Sequence, residues 1–364
     1  MLNHIAFLMP ALRGGGVQRQ YINLAREFLR RGLAVDMILL ETDSAYTDLP
    51  AWNLVDLGTR RISASLPALN RALRNLRPDV LISAQTPLNA LALISSTMVD
   101  KPPRVMVTEH NHLTTASQNT SRLGDRLRPL MVRWLYRRAD WIVSVSDGVA
   151  DDLARAGRIP RERIRVIYNS LDLDEIQRKA AEPVEHLWFK QKDIPVILAV
   201  GRMYKQKDYP VLINAFAKLR AKREARLLIL GEGEDRAKLE EQVKNLGLTR
   251  DVEMPGFVTN PFASMARANL LALSSEWEGF AIVLTEALAC GTPVVSTDCP
   301  SGPREILADG KYGRLVPVGD ADTLAAAMES TLDAPPPREL LLRRAQDFSV
   351  EHVADAYLDV MGMR

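Results

Sequence analysis

Short apolar runs rich in Val, Ile and Leu alternate with longer stretches whose apolar residues recur every three to four positions, and the alternation occurs twice along the chain. Runs such as Val196-Ile197-Leu198-Ala199-Val200 and Leu227-Leu228-Ile229-Leu230 have no polar face, as expected of strands covered on both sides in a parallel sheet. In the first half the pattern predicts strands near 3–9, 33–40, 79–83, 104–108, 140–145 and 163–168, with helices near 17–31, 66–76, 88–98, 123–138 and 147–156. In the second it predicts strands near 194–200, 225–230, 251–255, 269–273, 293–296 and 313–316, with helices near 209–222, 234–246, 281–290 and 320–332. Two doubly wound α/β units are the expected architecture. The least patterned stretch, 172–193, holds Pro183 and many charges and is read as the linker, dividing the chain into domains 1–182 and 188–347. Two further helical segments follow Pro335-Pro336-Pro337, the last with Val353, Ala356, Tyr357 and Val360 as its apolar positions.

A length of 364 residues suits two domains, each with enough chain for a core. Hydrophobic residues at 47% and charged residues at 25% are those of a soluble globular protein. The first residues lack a basic segment ahead of their apolar run, and no apolar run is long enough to span a bilayer, so a cytoplasmic protein is expected. Cys290 and Cys299 form neither a disulfide framework nor a zinc pattern and are read as reduced packing residues. The net charge of +2 is unevenly placed: residues 1–186 hold 25 Lys/Arg and 20 Asp/Glu, leaving 22 and 25 of the totals 47 and 45 for the rest. No basic stripe interleaved with aromatics accompanies the excess, and nucleic acid is not an expected partner.

The chemistry concentrates in the second half. In Trp277-Glu278-Gly279-Phe280-Ala281-Ile282-Val283-Leu284-Thr285-Glu286, seven residues separate two glutamates. A glycine turn ahead of an apolar stretch places Glu278 in a loop and Glu286 one turn into a helix, where both can face one ligand. N–H groups of Phe280 and Ala281, at the helix start, can bind hydroxyls or a diphosphate, while the carboxylates accept from hydroxyls. Alone, this spacing more often describes a solvated acidic loop before an ordinary helix. Its company is Gly201-Arg202-Met203-Tyr204-Lys205-Gln206-Lys207, directly after a buried strand, where Gly201 admits a ligand to the backbone and Arg202 and Lys207 can clamp a diphosphate.

Gly201-Arg202, Lys207, Glu278 and Glu286 together resemble the family 4 glycosyltransferases of the GT-B fold, over nearly the whole chain. The resemblance implies two Rossmann-like domains facing across a cleft, with the terminal helix, 348–364, returning to the N-terminal domain. It also implies a retaining transfer of sugar from a nucleoside-diphosphate sugar to a glycan or polyprenyl-type lipid-linked acceptor, in bacterial surface-polysaccharide or lipopolysaccharide synthesis. In that family the basic pair holds the donor diphosphate, the first glutamate contacts the transferred sugar, and the second binds the ribose. Backbone groups near Phe257 border the base. Gly15 and Gly16, in Gly14-Gly15-Gly16 after the first strand, match a loop facing the diphosphate; neither a Walker pattern nor a dinucleotide fingerprint is present. His110, ending the strand before it, matches a histidine that contacts the donor sugar, and Asn169-Ser170 stands where the family usually has Asn-Gly. Gly279, Phe280 and Ala281 complete the donor loop. Cys299-Pro300-Ser301-Gly302-Pro303-Arg304-Glu305 resembles segments of enzymes building surface glycans. A sugar-nucleotide epimerase on the same fold, or a non-catalytic sugar-nucleotide-binding protein, remains as an alternative.

Two further features stand apart. Asp172-Leu173-Asp174 spells a D-x-D metal motif of another glycosyltransferase fold, but its place fits helix capping better, so no metal or other cofactor is expected beyond the sugar nucleotide. The predicted helix 123–138 carries Leu123, Leu127, Leu130, Met131, Trp134 and Leu135 flanked by Arg122, Arg126, Arg128, Arg133, Arg137 and Arg138. It reads either as a core helix with a solvated basic face or as a helix lying on the anionic inner face of the plasma membrane.

Overall fold

The computed structural model describes residues 2–12, 16–42, 53–118, 128–191 and 193–363. They form two compact units, one of Met1–Ser170 with Val350–Arg364 and one of Leu171–Ser349. The first unit contains β1 (His4–Met9), β2 (Ala34–Leu39), β3 (Asn53–Asp56), β4 (Val80–Ala84), β5 (Arg104–Glu109), β6 (Trp141–Ser144) and β7 (Ile164–Val166), in the order β3-β2-β1-β4-β5-β6-β7. The second contains β8 (Val196–Val200), β9 (Arg226–Leu230), β10 (Val252–Gly256), β11 (Leu270–Leu273), β12 (Val294–Thr297) and β13 (Arg314–Val316), ordered β10-β9-β8-β11-β12-β13. The neighbouring strands pair in parallel. Each sheet reverses its winding beside its first strand, between β1 and β4 and between β8 and β11. In open α/β sheets such switch points form ligand crevices at the strands' carboxyl ends.

The unbroken apolar strands follow from burial on both faces. Along β1, Ala6 and Leu8 enter one core while Ile5, Phe7 and Met9 enter the other, where helices Gly16–Arg30 and Val350–Met361 cover the sheet. The terminal helix thus belongs to the first unit, where Arg31 Nη1 donates to Asp355 Oδ1 at 2.6 Å and Arg31 Nη2 to the Glu351 carbonyl at 3.0 Å.

The division between units falls at Ser170/Leu171, at the start of the stretch 172–193 read as the linker and ahead of the expected end of the first domain at 182. Helix Leu173–Ala180, expected to close the first domain, packs in the second unit against Pro261–Met265 and Ile282–Cys290. Its buried Ile176 needs an apolar partner, and Gln177 Nε2 donates to the Ala289 carbonyl at 2.8 Å. Charge density had made this amphipathic helix read as linker. Among the described residues, the short elements that were not anticipated include β3 and helices Leu113–Gln118 and Pro261–Met265. Of these, β3 is a four-residue edge strand whose Leu54 is exposed, so it carries little burial pattern. Of the basic helix predicted at 123–138, the structure describes Arg128–Leu135 and a 3-10 turn Tyr136–Arg138, whereas Arg122, Leu123, Asp125, Arg126 and Leu127 lie outside the described residues. Among the described residues no helix is long and apolar enough to cross a membrane.

Candidate active site

Two groups of functional side chains lie at carboxyl edges, one in each unit. In the second, β8 runs into Gly201 and β9 into Gly231, and the two backbones touch. A Cβ on Gly231 would stand 2.0 Å from the Gly201 carbonyl oxygen, at φ +146°, so no other residue fits. The next residues form the short turn Lys205–Lys207, which brings Lys207 back to the switch point beside the loop after β11. There Lys207 Nζ meets Glu278 Oε1 at 2.6 Å, with both side chains largely buried. Ser275 Oγ donates to the same oxygen at 2.7 Å, and Gln206 Nε2 reaches the Trp277 carbonyl at 2.9 Å. Ser274 Oγ donates to the Lys207 carbonyl at 2.6 Å. Lys207 and Glu278, brought together across 71 positions, therefore form one hydrogen-bonded unit. Arg202 is exposed, its guanidinium 5.0 Å from the centre of the Tyr204 ring.

Gly279, Phe280 and Ala281 lead into helix Ile282–Cys290, and Ala281 adopts the left-handed conformation at φ 61°. This is uncommon for a residue with a Cβ. Ala281, at the N-cap, makes no side-chain capping hydrogen bond, and the helix N-terminus directs the positive end of its dipole towards this loop. Glu286 is buried on this helix, one turn in, and raises the Cys290 thiol pKa alongside the larger effect of burial, to about 12. Both cysteines are reduced and buried, as their sequence context predicts. Gly302, at φ +91°, lets the Ser301-Gly302-Pro303 turn press against the loop: a Cβ there would lie 2.3 Å from the Phe280 carbonyl oxygen. That segment shapes the loop of Gly279, Phe280 and Ala281. Phe257 follows β10 and is 78% exposed, leaving its ring free to meet a ligand.

In the first unit, Gly16 begins helix Gly16–Arg30, while Gly14 and Gly15 lie outside the described residues. This helix delivers Tyr21, whose hydroxyl lies 2.6 Å from Thr108 Oγ1. Thr108 Oγ1 also donates to the Ser83 carbonyl at 3.1 Å and lies 2.9 Å from His110 Nε2. The threonine hydroxyl thus ties the Tyr21 hydroxyl, the Ser83 carbonyl and His110 Nε2 into one buried cluster. Burial lowers the His110 pKa to about 4, against a smaller opposing pull from Asn169, so the ring is neutral near pH 7. Although Asn169 lies close enough to exert that pull, His110 Nδ1 and Asn169 Oδ1 are both buried without a hydrogen bond of acceptable geometry. Two adjacent unsatisfied polar atoms are costly unless something else satisfies them.

Glu109 and His112, left open by the sequence, have structural partners. Glu109 accepts from Thr86 Oγ1 at 3.0 Å, from Asn89 Nδ2 at 3.1 Å and from the Tyr136 hydroxyl; burial raises its pKa. His112 Nδ1 lies 3.8 Å from Asp152 Oδ2. Asp172 accepts from the Glu175 N–H at 2.9 Å and caps helix Leu173–Ala180, with Asp174 in its first turn. Sequence reasoning missed Asn169 as a partner of His110 and Ser275 as a partner of Glu278. Their positions at strand ends were the available signal.

Residues 14–175 match the family model described as Glycosyltransferase Family 4, and residues 185–348 the model described as Glycosyl transferases group 1. The chain is 30% identical over 345 residues to the N-acetylgalactosamine-N,N'-diacetylbacillosaminyl-diphospho-undecaprenol 4-alpha-N-acetylgalactosaminyltransferase of Campylobacter jejuni, covering 91% of each chain. It is 27% identical to the lipopolysaccharide core biosynthesis glycosyltransferase LpsE of Rhizobium meliloti, covering 97% of each. Among solved structures, Anabaena HepE in complex with UDP superposes with a TM-score of 0.82 at 20% identity, covering 99% of this chain and 100% of that one. The fold is GT-B, and the chain belongs to glycosyltransferase family 4. It is a glycosyltransferase of the hexosyltransferase type, and the comparisons give no support to the epimerase alternative.

Proposed function

We propose that this enzyme transfers a sugar, with retention of anomeric configuration, from a nucleoside-diphosphate sugar to a lipid-linked or glycan acceptor in bacterial surface-glycan synthesis, at the cytoplasmic face of the membrane. One observation carries the reading: Lys207 and Glu278 lie side by side at the switch-point edge of the second sheet, where a cation and a hydroxyl acceptor are needed together. Lys207 and Arg202 neutralise the charge that develops on the leaving diphosphate, assisted by the dipole at the N-terminus of Ile282–Cys290. Glu278 accepts from hydroxyls of the transferred sugar and Glu286 from those of the ribose, while Gly201, Gly279, Phe280, Ala281 and Phe257 line the donor. The departing phosphate takes the acceptor's proton, and with Arg202, Lys207 and the helix N-terminus neutralising the diphosphate, no divalent metal is required.

The first unit supports the same chemistry. His110 Nδ1 suits a sugar hydroxyl, which can donate or accept, and Asn169 stands beside it as a second polar group. The glycine loop of Gly15 and Gly16 serves the diphosphate. The Campylobacter and Rhizobium relatives are named for a diphospho-undecaprenol-linked acceptor and for lipopolysaccharide core synthesis, and HepE was crystallised with UDP. They support a lipid-linked or glycan acceptor and make UDP-sugars the first donors to test.

Incubation with UDP-, GDP- and ADP-sugars and a polyprenyl-diphosphate-linked glycan should release one nucleoside diphosphate only when acceptor is present. The new linkage should keep the donor's anomeric configuration by NMR. Interconversion of donor sugars without acceptor would establish the epimerase instead, and donor binding without turnover would leave a binding protein.

A further inference from the structure

Helix Arg338–Gln346 packs against Ile282–Cys290, the helix that follows the donor loop, and carries a largely buried arginine. Every nitrogen of the Arg344 guanidinium is engaged. Nε donates to the Ile306 carbonyl at 2.9 Å, Nη2 to the Glu305 carbonyl at 2.7 Å and Nη1 to Asp347 Oδ2 at 2.7 Å. The two carbonyls end the short helix Pro303–Ile306, where a cation is favoured, and this arginine reaches them from 38 and 39 positions along the chain. Rings enclose the flat guanidinium: its carbon lies 4.8 Å from the centre of Phe348 and 5.3 Å from that of Tyr312. Phe348, fully buried, then meets Phe280 of the donor loop edge to face, with ring centres 5.8 Å apart.

The segment that Arg344 holds touches the same loop directly. The Glu278 N–H donates to the Pro300 carbonyl at 3.3 Å, and Gly302 lies against the Phe280 carbonyl. Both pieces are strained. Among the described residues eight non-glycine residues have positive φ, and four of them are Ala281 at 61°, Ser301 at 69°, Ala308 at 45° and Asp309 at 55°. Left-handed backbone at residues carrying a Cβ persists only where the surroundings over-determine it. Arg344 supplies that constraint twice, through the carbonyls of the 301–309 segment and through the Phe348 ring behind the loop.

We propose that Arg344, acting with Phe348, is a positioning residue for sugar transfer: it fixes the strained donor loop so that Glu278 and the N–H groups of Phe280 and Ala281 meet the donor in one geometry. The proposal rests on the reading of this loop as the one that lines the donor. Lysine cannot replace the arginine, because an ammonium is a point charge and lacks the flat fork that binds two carbonyls and a carboxylate while stacked between two rings.

Arg344→Lys keeps the charge and most of the packing, and it decides the matter by kinetics, calorimetry and hydrogen exchange. Its kcat for transfer should fall about tenfold or more, whereas its Kd for UDP should change less than about threefold, since Lys207 and Glu286 still hold the nucleotide while the reacting sugar is misplaced. Amide exchange without ligand should quicken at 278–281 and 301–309 and stay unchanged in β8, β9 and β11. Phe348→Leu, which keeps apolar volume and loses the ring, should give the same pattern with a smaller fall in kcat. Asp347→Asn leaves both carbonyl bonds of Arg344 in place and should keep wild-type kcat. Wild-type kcat in folded Arg344→Lys would overturn the proposal, and so would exchange that quickens in every strand of the unit, because the arginine would then only stabilise the fold. Should Arg344→Lys fail to fold, Phe348→Leu meets the same two criteria. A wild type that binds no nucleoside diphosphate would sink the transfer reading and this proposal with it, whereas an active wild type with equally active variants would sink the proposal alone.

Discussion

Sheets of the same winding end in different electrostatic surroundings in the two units. At the carboxyl edge of the second, Lys207 and Glu278 form an ion pair and Arg202 lies exposed. At the edge of the first, His110 is buried and kept neutral, its Nε2 fixed by Thr108 and its Nδ1 unsatisfied beside Asn169. The charged edge suits a ligand group that bears charge and gains more in the reaction. The neutral edge suits a hydroxyl, which is recognised by direction and not by net charge. Similar topology thus supports two kinds of recognition, distinguished by burial and by the partners supplied from distant segments.

The comparison is tested most severely at the ion pair. Lys207→Ala should lower turnover by about a hundredfold or more, because a diphosphate contact and transition-state stabilisation disappear together. It should also destabilise the fold by about 1–3 kcal/mol, since Glu278 keeps only neutral donors. Adding Glu278→Gln should restore most of the stability and none of the activity. Arg202→Ala should reduce turnover with little change in Tm, because its guanidinium is exposed and stacks only over Tyr204. Steady-state kinetics and urea denaturation separate these effects, and near wild-type turnover in both single variants would show that the diphosphate site is misplaced.

A smaller contrast separates the two glutamates. Calorimetry with the free nucleoside diphosphate should show weakened binding in Glu286→Ala, by about 1.5–3 kcal/mol, as expected for a lost hydrogen bond to a charged group. Glu278→Ala should bind the nucleotide nearly as wild type does and fail in transfer. Equal loss of nucleotide binding in both would contradict the division between ribose and sugar.

The neutral edge makes a prediction in pH. His110 titrates near 4 in the folded chain and near its ordinary value when unfolded. Its neutral form therefore contributes stability in full above about 6.5, and that contribution is lost as pH falls through about 4, amounting to as much as about 3 kcal/mol. His110→Asn should consequently flatten the acid limb of stability against pH in this window. An unchanged limb would mean that the imidazole is not held neutral by burial.

The smallest effect is expected at the D-x-D sequence. Activity should survive EDTA, and Asp174→Asn should leave it nearly intact, whereas Asp172→Ala should cost about 1 kcal/mol of stability by removing the cap on Leu173–Ala180. Loss of activity in chelator with rescue by Mg²⁺ or Mn²⁺ would show that the protein's cations do not suffice for the diphosphate.

Much of this was legible from local pattern. Strands buried on both faces must be apolar throughout, so both sheets were readable, and the glycine of Gly201 and the cation of Lys207 marked a ligand edge after β8. The Asp172 cap was legible because capping acts within one helical turn. Pairings were not: Glu278 meets a lysine 71 positions away, and Asn169 reaches His110 only once β5 and the segment following β7 lie in one sheet region. The unit boundary at Ser170/Leu171 was missed for the same reason, since what decides it is where Ile176 finds apolar cover. Sequence by itself determined the element types, the fold class and the chemical groups at the strand ends, because periodicity and residue chemistry are local properties. Only the tertiary structure decided which charges are neutralised, which polar atoms lack partners and which apolar residues, such as Trp134, remain uncovered, because those depend on contacts between segments far apart in the chain.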